Sequence, residues 1–281
     1  MKTYLLDKVA ILKIYKKPAP DAHKGTQGHA LLIGGSWGKM GSVVLATKAA
    51  IKTGCGLLTA FVPRCGYEIM QISVPEAMVL SDKVKKRISK IKVPIKPNAV
   101  GIGMGMGTAP KTAKAFGKYI TQEVALVIDA DGLNLLAQNP DFLKRLFPKT
   151  ILTPHKGELQ RLIGNWENKD EEHKMASAFA KKYNVIVVDK GAPTVILDGE
   201  TIWQNTTGNA ALATGGSGDS LTGIITSLLA QGYSPMNAAK LGVYLHGLTA
   251  DIALPATGTE SFTASTISEY LGQAFLSLER D

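Results

Sequence analysis

VALVIDADGLN, residues 124–134, opens with five apolar residues in a row and closes on two carboxylates, a glycine and an amide. An apolar run without polar alternation is buried on both faces, as strands are in a parallel sheet covered by helices on each side. The polar residues then fall at the carboxyl end of the strand, where such sheets hold their ligands. Working outward, HALLIGG (29–35), LLTAFV (57–62), AVGIG (99–103), TILTP (150–154) and VIVVDKG (185–191) read the same way. Helix-period segments separate them at 41–53, 110–119, 156–163 and 171–183. PTVILDGETIWQN (193–205) reads as a hairpin turning at Asp198-Gly199, and after it only helices are expected, at 218–231, 235–252 and 262–279. With no internal repeat and no low-complexity linker, the expectation is α/β: one three-layer α/β/α sandwich over residues 1–281 with a mainly parallel central sheet.

At 281 residues, 45% of them hydrophobic, the chain can bury a large core. Its formal net charge of +9 suits an anionic partner: nucleic acid, a membrane surface or a phosphate-rich small molecule. The basic run KVKKRISKIKVPIK (83–96) has no interleaved aromatics of the kind that stack bases, so it reads as a solvated segment and nucleic acid is not expected as a partner. Cys55 and Cys65 are too few for a disulfide framework and fit a reducing compartment. No signal-peptide core and no apolar stretch near the roughly 20 residues of a membrane span are present, so the expected location is cytoplasmic, without membrane contact.

Five strand ends carry polar or glycine-rich text: GGSWGKMGS, GMGMGT, DADGLN, TPHKGE and DKGAPT. Two familiar motifs are excluded. In GIGMGMGT each register of G-x-G-x-x-G meets Met106, Thr108 or Pro110 at its third glycine, and around Gly38-Lys39 a phosphate loop would need glycine at Ile33 and Ser or Thr at Met40. ATGGSGDSLTG remains. Gly215, Gly216, Ser217 and Gly218 lead into a helix near Asp219, so unpaired N–H groups and the positive end of the helix dipole converge there. Asp219 would sit beside that anion hole, where a carboxylate can take the proton of a hydroxyl attacking a phosphoryl group. His246, inside an apolar helical stretch, reads as a packed core histidine.

ATGGSGDSLTG resembles the C-terminal signature of the ribokinase-like superfamily. Together with HKGTQGHALLIGGS, DADGLN, TPHKGE and DKGAPT it resembles the NAD(P)H-hydrate dehydratase family, from His23 to about Asp251. The resemblance implies a lyase that dehydrates the S form of hydrated NADH or NADPH. The C6 hydroxyl is phosphorylated by ADP, or ATP, with Mg²⁺, and phosphate is eliminated. By the same resemblance Asp219 is the base and contacts the hydrate, and Gly216, Ser217 and Gly218 receive the phosphoryl group. Lys190, Gly191, Ala192, Pro193 and Thr194, with Gly218, contact the adenine nucleotide. Ala46, Gly105, Gly107 and His155 face the dinucleotide, and Glu158 helps hold the metal's water shell. Asp131, at a strand end near the same mouth, is assigned to the substrate or to a water-bridged metal.

Met104 and Met106 stand where the family usually has Pro and Leu, which leaves the conformation of that glycine loop open. The family further implies a homotetramer. It also implies an epimerase supplied by a separate protein, because the glycine-rich strand begins too early for a fused epimerase domain. The alternatives are a ribokinase-like kinase of a small hydroxylated vitamin precursor, against which His155 argues, and a noncatalytic nucleotide- or nucleic-acid-binding protein, against which Asp219 in its anion hole argues.

Overall fold

The computed structural model describes residues 2–279. Ten strands form one sheet: β1 (Lys2–Leu6), β2 (His29–Ile33), β3 (Leu57–Val62), β4 (Met78–Ser81), β5 (Ala99–Ile102), β6 (Ala125–Ile128), β7 (Ile151–Leu152), β8 (Ile186–Asp189), β9 (Val195–Leu197) and β10 (Thr201–Asn205). Their spatial order is β1-β10-β9-β8-β7-β6-β5-β2-β3-β4, and β9 alone runs against the rest. Its turn into β10 is the expected hairpin: Gly199 takes φ 93°, and Asp198 Oδ1 accepts from the N–H groups of Glu200 and Thr201 at 3.0 and 2.9 Å.

Side chains alternate between two cores, as pleating requires. Ala30, Leu32, Val127, Ile186, Val188 and Ile196 face one; Leu31, Ile33, Leu126, Ile128, Val187 and Leu197 face the other. The first core is covered by α1 (Lys8–Leu12), α2 (Met40–Lys52), α3 (Tyr67–Ser73), α8 (Ser217–Ala230), α9 (Pro235–Thr257) and α10 (Ala264–Glu279). The second is covered by α4 (Pro110–Tyr119), α5 (Asp131–Gln138), α6 (Lys156–Ile163) and α7 (Lys169–Tyr183). This is the expected three-layer sandwich. The edge strands β1 and β4, and the short helices α1, α3 and α5, were not anticipated. Asp131-Gly132 opens a helix, since α5 starts at Asp131 directly after Ala130, whose φ is 49°.

Two features aim this scaffold at its strand ends. The helix α8 packs across β2, β5 and β6. It approaches closely because Gly101 has no side chain: a Cβ there would lie 2.5 Å from Thr226 Oγ1. The chain also reverses its direction of travel across the sheet between β2 and β5, which opens a crevice beyond their carboxyl ends. The loops lining that crevice are locked together, with Gly35 N–H donating to Met104 O at 2.7 Å and Ser36 Oγ to Gly105 O at 2.7 Å.

Candidate active site

The start of α8 has the geometry of an anion hole. Its N-cap, Gly216, is left-handed at φ 93° and offers no side-chain cap, so the first-turn N–H groups keep their donors free of side-chain acceptors. His246 fixes this turn. Its Nε2 lies 3.0 Å from both Ser217 Oγ and Ser217 O, and burial pulls its pKa down to about 4, so it is neutral. Sequence reads it as a packed core histidine; in the fold it is half-buried, holds Ser217 and lines the cleft beside α8.

Two residues into the helix from Ser217 stands Asp219. Burial, then the negative charges of Asp129 and Asp131, push its pKa up to about 6 against the opposing Ser42 hydrogen bond and the Lys190 ammonium. A carboxylate poised near neutrality is suited to accept a proton. Beneath it lies a charge cluster at the ends of β6 and β8. Lys190 Nζ donates to Asp129 Oδ1 at 2.8 Å and lies 3.9 Å from Glu158 Oε2, while Thr222 Oγ1 donates to Asp129 Oδ2 at 2.8 Å. Burial alone would lower the Lys190 pKa, but Asp129 and then Glu158 outweigh it and hold the ammonium protonated. A Cβ on Gly218 would sit 3.0 Å from that ammonium, so the glycine keeps the cation open to the helix start.

On one side of α8 a cleft of about 810 Å³ is lined by His155, by all of Lys190–Thr194 and by the segment 205–210, with Ser217, Gly218 and His246 on its floor. The Ala192-Pro193 peptide in its wall is cis. Asp251 ties the 205–210 segment down, accepting from Gly208 N–H at 2.8 Å and Asn209 Nδ2 at 2.9 Å. On the other side lies the 103–107 loop. Its three glycines all have positive φ, and Met104 and Met106 are fully buried, one in each core. The two methionines therefore anchor the loop, leaving Gly107 open; its N–H donates to Asp131 Oδ2 at 2.8 Å.

His155 is the N-cap of α6, with Nδ1 accepting from Gly157 N–H at 3.0 Å, while Glu158 Oε2 accepts from His155 N–H at 2.9 Å. The ring lines the cleft shared with Lys190. Ala46 is not brought to either side. It is fully buried on α2, its carbonyl 2.0 Å from where a Cβ on Gly223 would stand. Among the described residues no group of three His, Cys, Asp or Glu side chains capable of holding a metal is assembled. A Mg²⁺ that keeps most of its waters and rides on nucleotide phosphates needs no such group, and one buried carboxylate behind the cleft-lining Lys190, Glu158, is compatible with that mode. The sequence reading missed Ser42, Thr222, the 205–210 wall and the central part played by Asp129. Only Asp129, an acid ending an apolar run, carried a local signal.

The solved structure of ADP/ATP-dependent NAD(P)H-hydrate dehydratase from Bacillus subtilis, co-crystallised with ATP/Mg²⁺, is 28% identical and superposes with a TM-score of 0.82 over 98% of each chain. Fold and site thus define a ribokinase-like α/β/α protein. The bifunctional NAD(P)H-hydrate repair enzyme Nnr of Moorella thermoacetica is 38% identical over 278 residues, covering 92% of this chain and 51% of its own. The ADP-dependent (S)-NAD(P)H-hydrate dehydratase of Neisseria meningitidis serogroup B is 36% identical over 254 residues, covering 87% and 83%. The chain spans about half the length of the bifunctional relatives it matches. A model of the NAD(P)H-hydrate dehydratase family matches residues 30–273, and the chain belongs to that family.

Proposed function

We propose that the protein repairs hydrated NADH and NADPH, dehydrating the S form at the expense of ADP, or ATP. The observation that carries this reading is Asp219: a carboxylate with its pKa raised to about 6, standing at the uncapped start of α8. Asp219 takes the proton of the C6 hydroxyl, and the oxygen attacks the terminal phosphoryl group of the nucleotide, releasing AMP from ADP. The C6–O bond then breaks, phosphate leaves, a proton leaves C5, and the ring double bond is restored. Water is a poor leaving group and phosphate a good one. Gly216 and Gly218 offer N–H donors to the moving phosphoryl group, Ser217, whose own N–H donates to Thr214 O at 3.3 Å, holds the turn between them, and the protonated Lys190 faces the same point.

Lys190, Gly191, Ala192, Pro193, Thr194 and Gly218 line the 810 Å³ cleft, which suits them to the adenine nucleotide. Gly105, Gly107 and Asp131, on the opposite side of Asp219, suit the dinucleotide. His155 is assigned to the hydrate on family resemblance. Mg²⁺, with Glu158 reaching it through water, would neutralise charge on the nucleotide phosphates. The ADP and ATP named for the Neisseria and Bacillus relatives support the donor.

The bifunctional names support an epimerase acting on the same substrate, and we take residues 1–281 as one dehydratase domain. A homotetramer and a cytoplasmic location complete the reading. Free Cys55 and Cys65 are in keeping with a reducing compartment, and among the described residues no helix is long and apolar enough to cross a membrane. The test is recovery of reduced-nicotinamide absorbance from hydrated NADPH with ADP, ATP or neither, beside thiazole and pyrimidine alcohols as phosphoryl acceptors. Recovery dependent on nucleotide is expected. No recovery with either nucleotide overturns the assignment, and phosphorylation of the alcohols instead would favour the kinase.

A further inference from the structure

The basic run at 83–96, which reads as solvated in sequence, is a pinned loop. Asp82 accepts from Val84 N–H at 3.1 Å, Lys90 N–H at 2.9 Å and Ser89 Oγ at 3.0 Å. Ile88 is fully buried, with its carbonyl accepting from Thr112 Oγ1 at 2.7 Å. The loop is docked on the crevice between β2 and β5: Trp37 N–H donates to Lys86 O at 2.9 Å. The Lys85 and Lys86 ammonium groups therefore stand 5.8 and 5.6 Å from the Trp37 ring centroid. Arg87 and Lys39 are exposed beside them in the chain. Trp37 itself is 59% exposed, although its backbone is held on both sides. A large aromatic ring held open on a fixed backbone and flanked by cations suits a flat base attached to phosphates.

We propose that Trp37, with Lys85 and Lys86, binds the adenosine half of the hydrated dinucleotide, the ring stacking on adenine and the lysines holding its phosphates. This rests on the dehydratase reading. The geometry agrees with it. Ser42, whose hydroxyl hydrogen-bonds to Asp219, stands only five positions after Trp37, so their Cα atoms lie within about 18 Å, a span an extended dinucleotide bridges. The connecting surface is the glycine loop, tied to the Trp37 loop through Ser36. The adenine nucleotide that donates the phosphoryl group is accommodated on the other side of α8. A second consequence concerns the 2′-phosphate that distinguishes NADPH from NADH: the lysines add to binding of the molecule that carries it.

The test is steady-state kinetics of the full chain with hydrated NADPH and hydrated NADH. Trp37→Ala should raise KM for both hydrates about 5- to 100-fold, the range for losing one base stack, with kcat and KM for ADP within about two-fold. Trp37→Phe, which keeps an aromatic face, should recover most of the loss. The double change Lys85→Ala and Lys86→Ala should raise KM for the NADPH hydrate several-fold more than for the NADH hydrate. If wild type turns over the hydrate and Trp37→Ala leaves both KM values unchanged, this inference is overturned while the dehydratase reading stands; if wild type turns over no hydrate, the dehydratase reading falls first. Binding of a short single-stranded oligonucleotide, lost in Trp37→Ala while the hydrate KM values do not move, would assign the patch to nucleic acid and also overturn the inference.

Discussion

Replacing Asp219 by Asn should make the protein more stable and nearly inactive at once. In an unfolded chain the aspartate ionises near 3.9, whereas in the fold its pKa is raised to about 6, chiefly by burial and the neighbouring Asp129 charge. Between those values the folded state binds more protons than the unfolded state, so stability falls as pH rises through that window and stays lower above it. At about 1.4 kcal/mol per pKa unit, the ionised carboxylate costs about 3 kcal/mol at neutral pH. Asn keeps an oxygen for the Ser42 hydrogen bond and removes the charge. Tm at pH 7.5 should therefore rise by about 5 °C, and the gain should shrink towards zero near pH 4.

Turnover should fall by about 10² to 10⁴. The wild-type kcat/KM profile should carry an acidic limb centred near pH 6, with about a tenfold loss at pH 5 as the base becomes protonated. Thermal melts at both pH values, with turnover of hydrated NADPH, check this. A variant no more stable at pH 7.5 than wild type, or one with turnover within a few-fold of it, would refute the reasoning.

His155→Ala removes both the N-cap of α6 and the group assigned to the hydrate. It should lower kcat/KM for the hydrate much more than it weakens inhibition by NADPH, and parallel losses in the two constants would deny His155 a contact with the added hydroxyl. Ala46→Leu inserts a large side chain where α2 meets α8 with no free surface, so it should destabilise the protein by about 1–3 kcal/mol in urea melts and weaken hydrate and product together; an unchanged midpoint would mean that the helices part easily there.

Much of the sheet was legible because β2, β3, β5, β6, β7 and β8 are interior strands, buried on both faces, and write that burial as unbroken apolar runs. The edge strands β1 and β4 have no such signature: Lys2–Leu5 is exposed along its length and β4 is at best half-buried, so their sequences look like loop. The helix start at Gly216 was legible for a local reason. Backbone freedom and an uncapped turn are properties of a few consecutive residues. His246 was legible for the same reason, as a polar residue inside an apolar helix.

What the tertiary structure decided are the relations between distant parts of the chain. Thr222 meets Asp129 across 93 residues and Lys190 meets it across 61, and burial in this fold, with the Asp129 charge second, raises the Asp219 pKa. Ala46 looked like a small residue leaving room for a ligand, but it is fully buried where the backbone of α2 packs on Gly223 of α8. The run at 83–96 lacks an aromatic of its own, and the fold supplies Trp37 from another loop through one backbone hydrogen bond. Sequence records how each segment meets water, since burial and periodicity act residue by residue. Electrostatic and stacking partners are set by where the strands lie in the sheet, and strand order is written in no single segment.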